Sequence, residues 1–585
     1  MAEVSQNRIH IAKSVVLISA SIVTLSFIFH CHVFPNLQNI EAWDQCSYMK
    51  GASLLASGVV PLYANNPGLC ALYAPFFPLA ISINASIWLP LIIGFGNQFL
   101  FVLFLVGLFA LGHKVGSNIV YSLGIMAGWP VYIKLLYNAS DFAFSVISLF
   151  VFILLLTIWA KRSLPAIASF SFLLGYSCFV RTDGLVLVFT MLSVLICREI
   201  LKSGRQPKRK ILTFVLTLTI PIILVFGSYM MWFYRTPKNE DNNLKKRSYL
   251  AFEQGHYFSI GKPEFNMIDA QLQTRKVFGS PEDNDQSVIK AYLHHPSAGI
   301  TRIFRNLVQF PATFLRAIDF NGCSLVLFPF LVMGFMSIYH QRKWDVLLPV
   351  LTFPLYLLIY LLFFFREGYL LHISFVYFVL LGFGIRAYIE KSLPQWTHLL
   401  ATTSSVLPLL IINYQVPFNY LMGFICILVA SAAVYHIGNH KKNRIFYVFV
   451  IFLSFIGAWL PKVTFSLPPS EQSPEFIVSE ILYQYVQPGN WVMGYSHKEC
   501  TLSFTVLVPI DAESFEIDTE SEWIRFLSKY SPTKAVYINP FLERANLRLY
   551  NFIQDQDKKS LELKFQDSSG KHKIFTVNSD YVLSN

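Results

Sequence analysis

Charge is what this sequence has least of. Only 14% of its 585 residues are Asp, Glu, Lys or Arg, against about a quarter in ordinary soluble domains. Hydrophobic residues make up 54%, and mean hydropathy is +0.49. A soluble fold could not hide that much apolar surface, so most of it must face lipid. Repeats, heptads and low-complexity tracts are missing, which excludes solenoids and coiled coils. His and Cys do not cluster at ligand spacing, so nothing supports a zinc site. The first apolar run, 15–34, lacks a small-residue cleavage site and reads as a first span rather than a cleavable signal peptide.

Phe (54) and Tyr (29) are abundant, as expected for helices packed in lipid with aromatic belts at the interfaces. The formal net charge is +12. In a soluble chain that would raise nucleic acid as a partner. Here the basic residues sit in short loops between apolar runs, so topology explains them and nucleic acid is not expected. Apolar stretches long enough to span fall near 14–34, 93–112, 117–136, 141–160, 164–181, 184–201, 211–233, 321–339, 345–365, 369–387, 396–414, 416–436 and 445–464. The sequence thus predicts a polytopic α-helical membrane protein of about thirteen transmembrane helices. Region 164–201 is read as two short spans with Arg181, Thr182 and Asp183 at their turn.

Alternate loops carry the positive charge: Lys114; Lys161 and Arg162; 198–210; Arg342 and Lys343; Arg386 and Lys391; Lys441, Lys442 and Arg444. By the positive-inside rule these are cytoplasmic, with Arg8 and Lys13. The N-terminus is then inside and the C-terminus outside, periplasmic or extracellular. The opposite side receives the long loop 35–80, Asn138 and Asp141, the turn 181–183, a polar stretch 234–320, and Arg366, Glu367 and Tyr369 at a span junction. It also receives a tail, 465–585. There 491–495, 506–510 and 534–538 read as strands and 521–529 as an amphipathic helix, a soluble α/β domain following a transmembrane module of 1–464. The tail has no Gly-rich phosphate fingerprint, so it is not read as a nucleotide site.

The first external loop is the most informative segment. Glu41 and Asp44 stand just past the first span, before a short amphipathic stretch at 45–56. A carboxylate at a membrane interface beside apolar walls can be tuned towards general-base duty. Equally, both could simply cap the interfacial helix. At spacing i, i+3 they could share a divalent cation; no cofactor is otherwise indicated. Cys46 and Cys70 share this loop and could form a disulfide in an oxidising compartment, or remain unpaired.

Taken in order, Asp44-X-X-X-Tyr48, Gly58-X-X-Pro61-X-Tyr63 and Tyr73-X-Pro75-X-X-Pro78 resemble the first luminal loop of GT-C glycosyltransferases. These are multi-span enzymes that take sugar from a polyprenyl-phosphate donor, and include protein O-mannosyltransferases and lipid A aminoarabinose transferases. Further along, Ser140-Asp141-Phe142-Ala-Phe144 resembles their entry to the fourth span, and Arg181-Thr-Asp183-Gly184-Leu185 their Arg-X-X-Gly-Leu turn. Arg366-Glu-Gly-Tyr369-Leu-Leu-His372 resembles the arginine–tyrosine motif near the donor phosphate, but with two residues between the pair. His295-Pro296 with Arg302 and Arg305 is similar to a stretch of the bacterial members' periplasmic loop, and 486–495 to their soluble domain.

The resemblance implies a GT-C-like fold with an external interfacial loop region, and an inverting sugar transferase of the cell envelope, at home in a bacterial inner membrane. Asp44 would be the general base, with Asp141 a carboxylate that either supports the reacting groups from behind or lines the acceptor site. Arg366 would hold the donor phosphate, since a guanidinium binds phosphate in a fixed fork, assisted by Arg181 and Tyr369. Glu41, Tyr48, Tyr63, Tyr73 and His372 would line the substrate site. Plainer accounts exist for several. Arg366 could snorkel to headgroups, Arg181 could pair with Asp183 to hold its turn, and Asp141 could cap its helix. The expected partners are a polyprenyl-phosphate sugar, membrane lipids, and a lipid, glycan or protein acceptor. A transporter or flippase is an alternative, although the spans show no half-to-half symmetry. A glycan ligase or polymerase is another, although it gives no reason for the C-terminal domain.

Overall fold

The computed structural model describes residues within 51–56, 67–76, 85–120, 139–203, 208–235, 244–260, 267–317, 324–363, 367–400, 478–486, 491–494, 506–509, 517–554 and 559–578, a few positions inside these blocks excepted. The expected spans at 14–34, 117–136, 396–414, 416–436 and 445–464 lie wholly or mainly outside them. The chain divides into two compact units. One comprises Met1–Ile28, Asn97–Lys238 and Ile289–Phe465, the other Phe29–Gly96, Asn239–Val288 and Ser466–Asn585.

Apolar helices make the first unit: Ala139–Ala160, Leu164–Val180, Gly184–Ser203, Lys208–Arg235, Ser324–His340, Trp344–Thr352 and Ser374–Glu390. Three stretches among the described residues, Ser140–Ala160, Gly184–Leu201 and Trp344–Leu361, are long and apolar enough to cross a membrane. The chain is a polytopic helical membrane protein. Hydroxyls in the spans turn back on their own backbone, as Ser145 Oγ does to the Asp141 carbonyl (2.8 Å) and Ser171 Oγ to the Ile167 carbonyl (2.7 Å). In lipid a polar group must find its partner inside the protein. Helices Ser324–His340 and Ser374–Glu390 meet through glycine. A Cβ on Gly334 would collide with the Leu380 carbonyl, and one on Gly384 with the Phe330 carbonyl. Small residues at such crossings let the backbones close up.

Two expected spans are interrupted. The stretch 345–365 begins as an α-helix, Trp344–Thr352, and tightens into a 3-10 helix, Phe353–Leu361, where a proline enters the first turn and brings no N–H to the ladder. The stretch 369–387 is a one-turn helix, Glu367–Leu371, and a separate helix, Ser374–Glu390, broken at His372 and Ile373.

In the second unit, helix Pro67–Tyr73 and the turn Ala74–Phe76 come from the first external loop. Cys70 in that helix is a buried free thiol, and burial pushes its pKa up to about 12; Cys46 lies outside the described residues. Helices Leu244–Ser259 and Met267–Phe278 pack as a pair. Near the C-terminus, strands β1 (Trp491–Gly494), β2 (Val506–Pro509), β3 (Thr533–Ile538), β4 (Leu561–Gln566) and β5 (Lys573–Val577) form one sheet in the order β2-β1-β3-β5-β4. The pairs β1–β2 and β1–β3 are parallel, while β5 and β4 add as an antiparallel hairpin. Trp523 and Leu527 of helix Glu520–Lys529 join Met493, Val536 and Ile538 in a buried core on the sheet.

Candidate functional site

Three separate stretches of the first unit supply one buried polar cluster. Asp141 lies in the first turn of Ala139–Ala160. Arg181 caps Leu164–Val180 in extended conformation, its N–H donating to the Ser177 carbonyl. The chain turns back at once, because Gly184 opens the next helix against the Ser177 backbone, where a Cβ would collide. The 3-10 helix brings Tyr360. The one-turn helix brings Tyr369, and the break after it turns His372 inward.

The guanidinium of Arg181 pairs with Asp141 Oδ1 through Nη1. It also donates from Nε and Nη2 to Asp183 Oδ2 at 2.9 and 2.7 Å, and lies near Ser140 Oγ at 3.4 Å. His372 Nε2 is 3.1 Å from the same Asp141 oxygen, and His372 is 0% exposed. Tyr360 donates its hydroxyl to Asp183 Oδ2 at 2.8 Å. An aromatic layer completes the cluster: Tyr360 and Tyr369 stack with centroids 4.5 Å apart, and Arg181 lies 5.2 Å over the Tyr369 ring. Phe144 stands edge-on to His372 at 4.9 Å. A guanidinium on an aromatic face gains from the ring quadrupole, more so when dry.

In these contacts one guanidinium meets two carboxylates. Arg181 is therefore already matched in charge and is poorly placed to take a phosphate as its main partner. What it does is orient Asp141, whose Oδ1 is held by Arg181 and His372 together. Such an arrangement fixes a carboxylate in direction, which a group that positions a substrate requires.

Four of the residues singled out in the sequence thus come together: Asp141, Arg181, Tyr369 and His372. The pairing of Arg181 with Asp183 that holds the turn is present, and Arg181 holds Asp141 as well. Tyr73 lies in the second unit, 1% exposed, its ring filling the space where Gly96 has no side chain. Asp44, Glu41, Tyr48, Tyr63 and Arg366 lie outside the described residues. Sequence reasoning missed Tyr360, whose partner Asp183 is 177 residues away; nothing local in that apolar run marks one tyrosine among several. Among the described residues no group of three His, Cys, Asp or Glu could hold a metal ion.

No family model matches the sequence, and no curated protein matches it. Solved structures do match in fold. ArnT from Cupriavidus metallidurans in the apo state is 12% identical, with a TM-score of 0.51, covering 97% of this chain and 98% of that one. The same protein bound to undecaprenyl phosphate gives a TM-score of 0.50 at 12% identity, covering 96% and 98%. An oligosaccharyltransferase from Archaeoglobus fulgidus, tethered with an acceptor peptide, reaches a TM-score of 0.42 at 12% identity over 96% of this chain and 74% of that one, too low to carry an argument. The fold of this chain is that of the ArnT structures.

Proposed function

We propose that the chain is an integral membrane glycosyltransferase that moves a sugar from a polyprenyl-phosphate donor to an acceptor on the non-cytoplasmic face. The observation that carries this reading is the meeting of Asp141, Arg181, Tyr369 and His372 in one cluster, on a fold that ArnT uses and in which ArnT was captured with undecaprenyl phosphate. The four residues were singled out from three separate motifs, and they gather at one end of the helices that carry them.

In this reading a glycosyl phosphate already has a competent leaving group. The protein must remove a proton from the acceptor and stabilise charge on the departing phosphate. Asp44 takes the proton and Arg366 meets the phosphate. Asp141, fixed by Arg181 and His372, accepts a hydrogen bond from the acceptor and holds its nucleophile in line. A single displacement with one base inverts the anomeric carbon. The N-terminus lies in the cytoplasm and the tail 465–585 outside, as the loop charges require.

Membranes carrying the wild-type chain or Asp44→Asn, incubated with labelled polyprenyl-phosphate sugars, test this. The wild type should transfer label, and the variant should lose about 100-fold or more, the scale of a lost general base. Full activity in the variant removes Asp44 from the role. A product that retains the donor's configuration rules out single displacement.

A further inference from the structure

Three consecutive carbonyls close the 3-10 helix Phe353–Leu361, and side chains from outside that helix take all three. Asn306 donates Nδ2 to the Leu361 carbonyl at 2.8 Å. Tyr292 donates its hydroxyl to Leu362 at 2.5 Å. Arg302 donates Nη2 to Phe363 at 2.7 Å, shared with Asn306 at 3.2 Å. A helix end leaves its last carbonyls without partners inside the helix. Here the Leu362 and Phe363 N–H groups go back to Ile359 and Tyr360, so the carbonyls of 361, 362 and 363 are the ones exposed at the end. Arg302 is 1% exposed, and its positive charge faces the negative end of the helix dipole.

The donors belong to helices Val288–His294 and Pro296–Ala317. These two are locked to each other, since a Cβ on Gly299 would collide with the Tyr292 ring. What they grip bears on the cluster. Tyr360 is one residue before the first gripped carbonyl, and it bonds Asp183 and stacks on Tyr369. Downstream, helix Glu367–Leu371 and the break at His372 follow within ten residues of Phe363. The stretch is thus tied at both ends, by the clasp at 361–363 and by the Tyr369 and His372 contacts.

We infer that Tyr292, Arg302 and Asn306 are positioning residues: they clasp the carbonyls of Leu361, Leu362 and Phe363 and so set the placement of Tyr360, Tyr369 and His372 for donor binding. The donor part of this rests on the proposed function; the clasp itself does not. Lost grip lets the one-turn helix shift against Asp141 and Arg181, and the first quantity to suffer is affinity for the lipid phosphate.

The test uses the full chain purified in nanodiscs, as wild type, Arg302→Met, Arg302→Lys, Asn306→Leu, Tyr292→Phe and Arg305→Met. Hydrogen exchange is read on peptides covering 367–376. KM and kcat are then read with a labelled polyprenyl-phosphate sugar. Arg302→Met and Asn306→Leu should speed exchange there and raise donor KM by about tenfold, the size of one lost strong hydrogen bond, with kcat changing less. Arg302→Lys should recover part of both, and Arg305→Met, on the exposed side of the same helix, should move neither. Should Arg302→Met fail to accumulate, Tyr292→Phe removes one hydroxyl only, and an effect of about threefold in the same direction carries the inference. Unchanged exchange at 367–376, or faster exchange with an unaltered donor KM, overturns it. A wild-type chain that transfers no sugar overturns the proposed function instead, and exchange alone then decides the clasp.

Discussion

Among the buried carboxylates that arginine holds in the described residues, Glu253 and Asp141 are held in different ways. Glu253, 2% exposed, accepts from Arg275 Nε at 3.1 Å, a pair from two successive helices and 22 residues apart. Thr274 beside it bonds the Glu253 carbonyl at 3.1 Å. Asp141 shares its arginine with Asp183, meets a buried histidine, and draws on residues 40 and 231 positions away. One carboxylate per guanidinium ties a helix pair together. Two carboxylates and a histidine around one guanidinium, under stacked tyrosines, exceed what holding helices needs. Such excess of ionisable groups at one end of the spans is what supports the proposed site there over a structural joint.

The sharpest way to break this comparison is to remove each arginine. Arg181→Met leaves the buried Asp141 carboxylate beside the half-buried Asp183 carboxylate with no cation between them, and should cost about 3–5 kcal/mol, the scale for a broken buried pair. Thermal unfolding in detergent reads it, and adding Asp183→Asn should restore part of the loss. Arg275→Met should cost clearly less, since the Arg275 side chain is 34% exposed and water replaces it more easily at Glu253. Equal losses at the two sites would erase the distinction.

A smaller effect is expected from Tyr360→Phe, which removes a hydrogen bond to a charged group, worth about 1.5 kcal/mol. The missing hydroxyl should lower thermal stability and weaken the arginine turn together. An unchanged melting temperature would mean that Asp183 is held by Arg181 alone. The smallest effect is at Glu253. Burial raises its pKa above the ordinary carboxylate value, and Arg275 pulls it only part of the way back. A raised folded-state pKa favours the protonated folded form. This contribution is complete below the unfolded pKa and is lost as pH rises through the folded one. Acidification through that window should therefore strengthen the 244–278 helix pair, and Glu253→Gln should remove the dependence. Hydrogen exchange of that pair at two pH values reads it, and an unchanged pH response in the variant would assign the effect elsewhere.

Local patterns were legible in the sequence and long-range ones were not. Strands β1, β2 and β3 and helix Glu520–Lys529 fall within a residue of the expected 491–495, 506–510, 534–538 and 521–529. Strands β4 and β5 escaped notice. In β4 apolar residues alternate with Glu, Lys and Gln and the strand is half-exposed at the sheet edge, while β5 offers only Ile574 and Phe575 in succession, so no apolar run announces either. The turn between them, with Gly570 at φ +69, makes the sheet mixed where βα units alone would have made it parallel. The two helices of 164–201 and their turn are as the sequence suggested, because Arg181, Thr182 and Asp183 interrupt an otherwise apolar run. The breaks at 353 and 372 were hidden, since hydropathy does not register a change of helix type. With them went Tyr360 and the inward turn of His372. The alternative roles for Arg181 and Asp141 stayed open in the sequence for the same reason: their partners are set by packing.

The central claim is that the Asp141 cluster belongs to a sugar-transfer site while the Glu253 pair belongs to the scaffold. The direct measurement is transfer from a labelled polyprenyl-phosphate sugar by purified wild type, Asp141→Asn and Glu253→Gln, side by side. Asp141→Asn keeps the shape of the side chain and should lose about 100-fold in turnover, and Glu253→Gln should match the wild type. Wild-type turnover in Asp141→Asn, or an equal loss in both variants, would contradict the account.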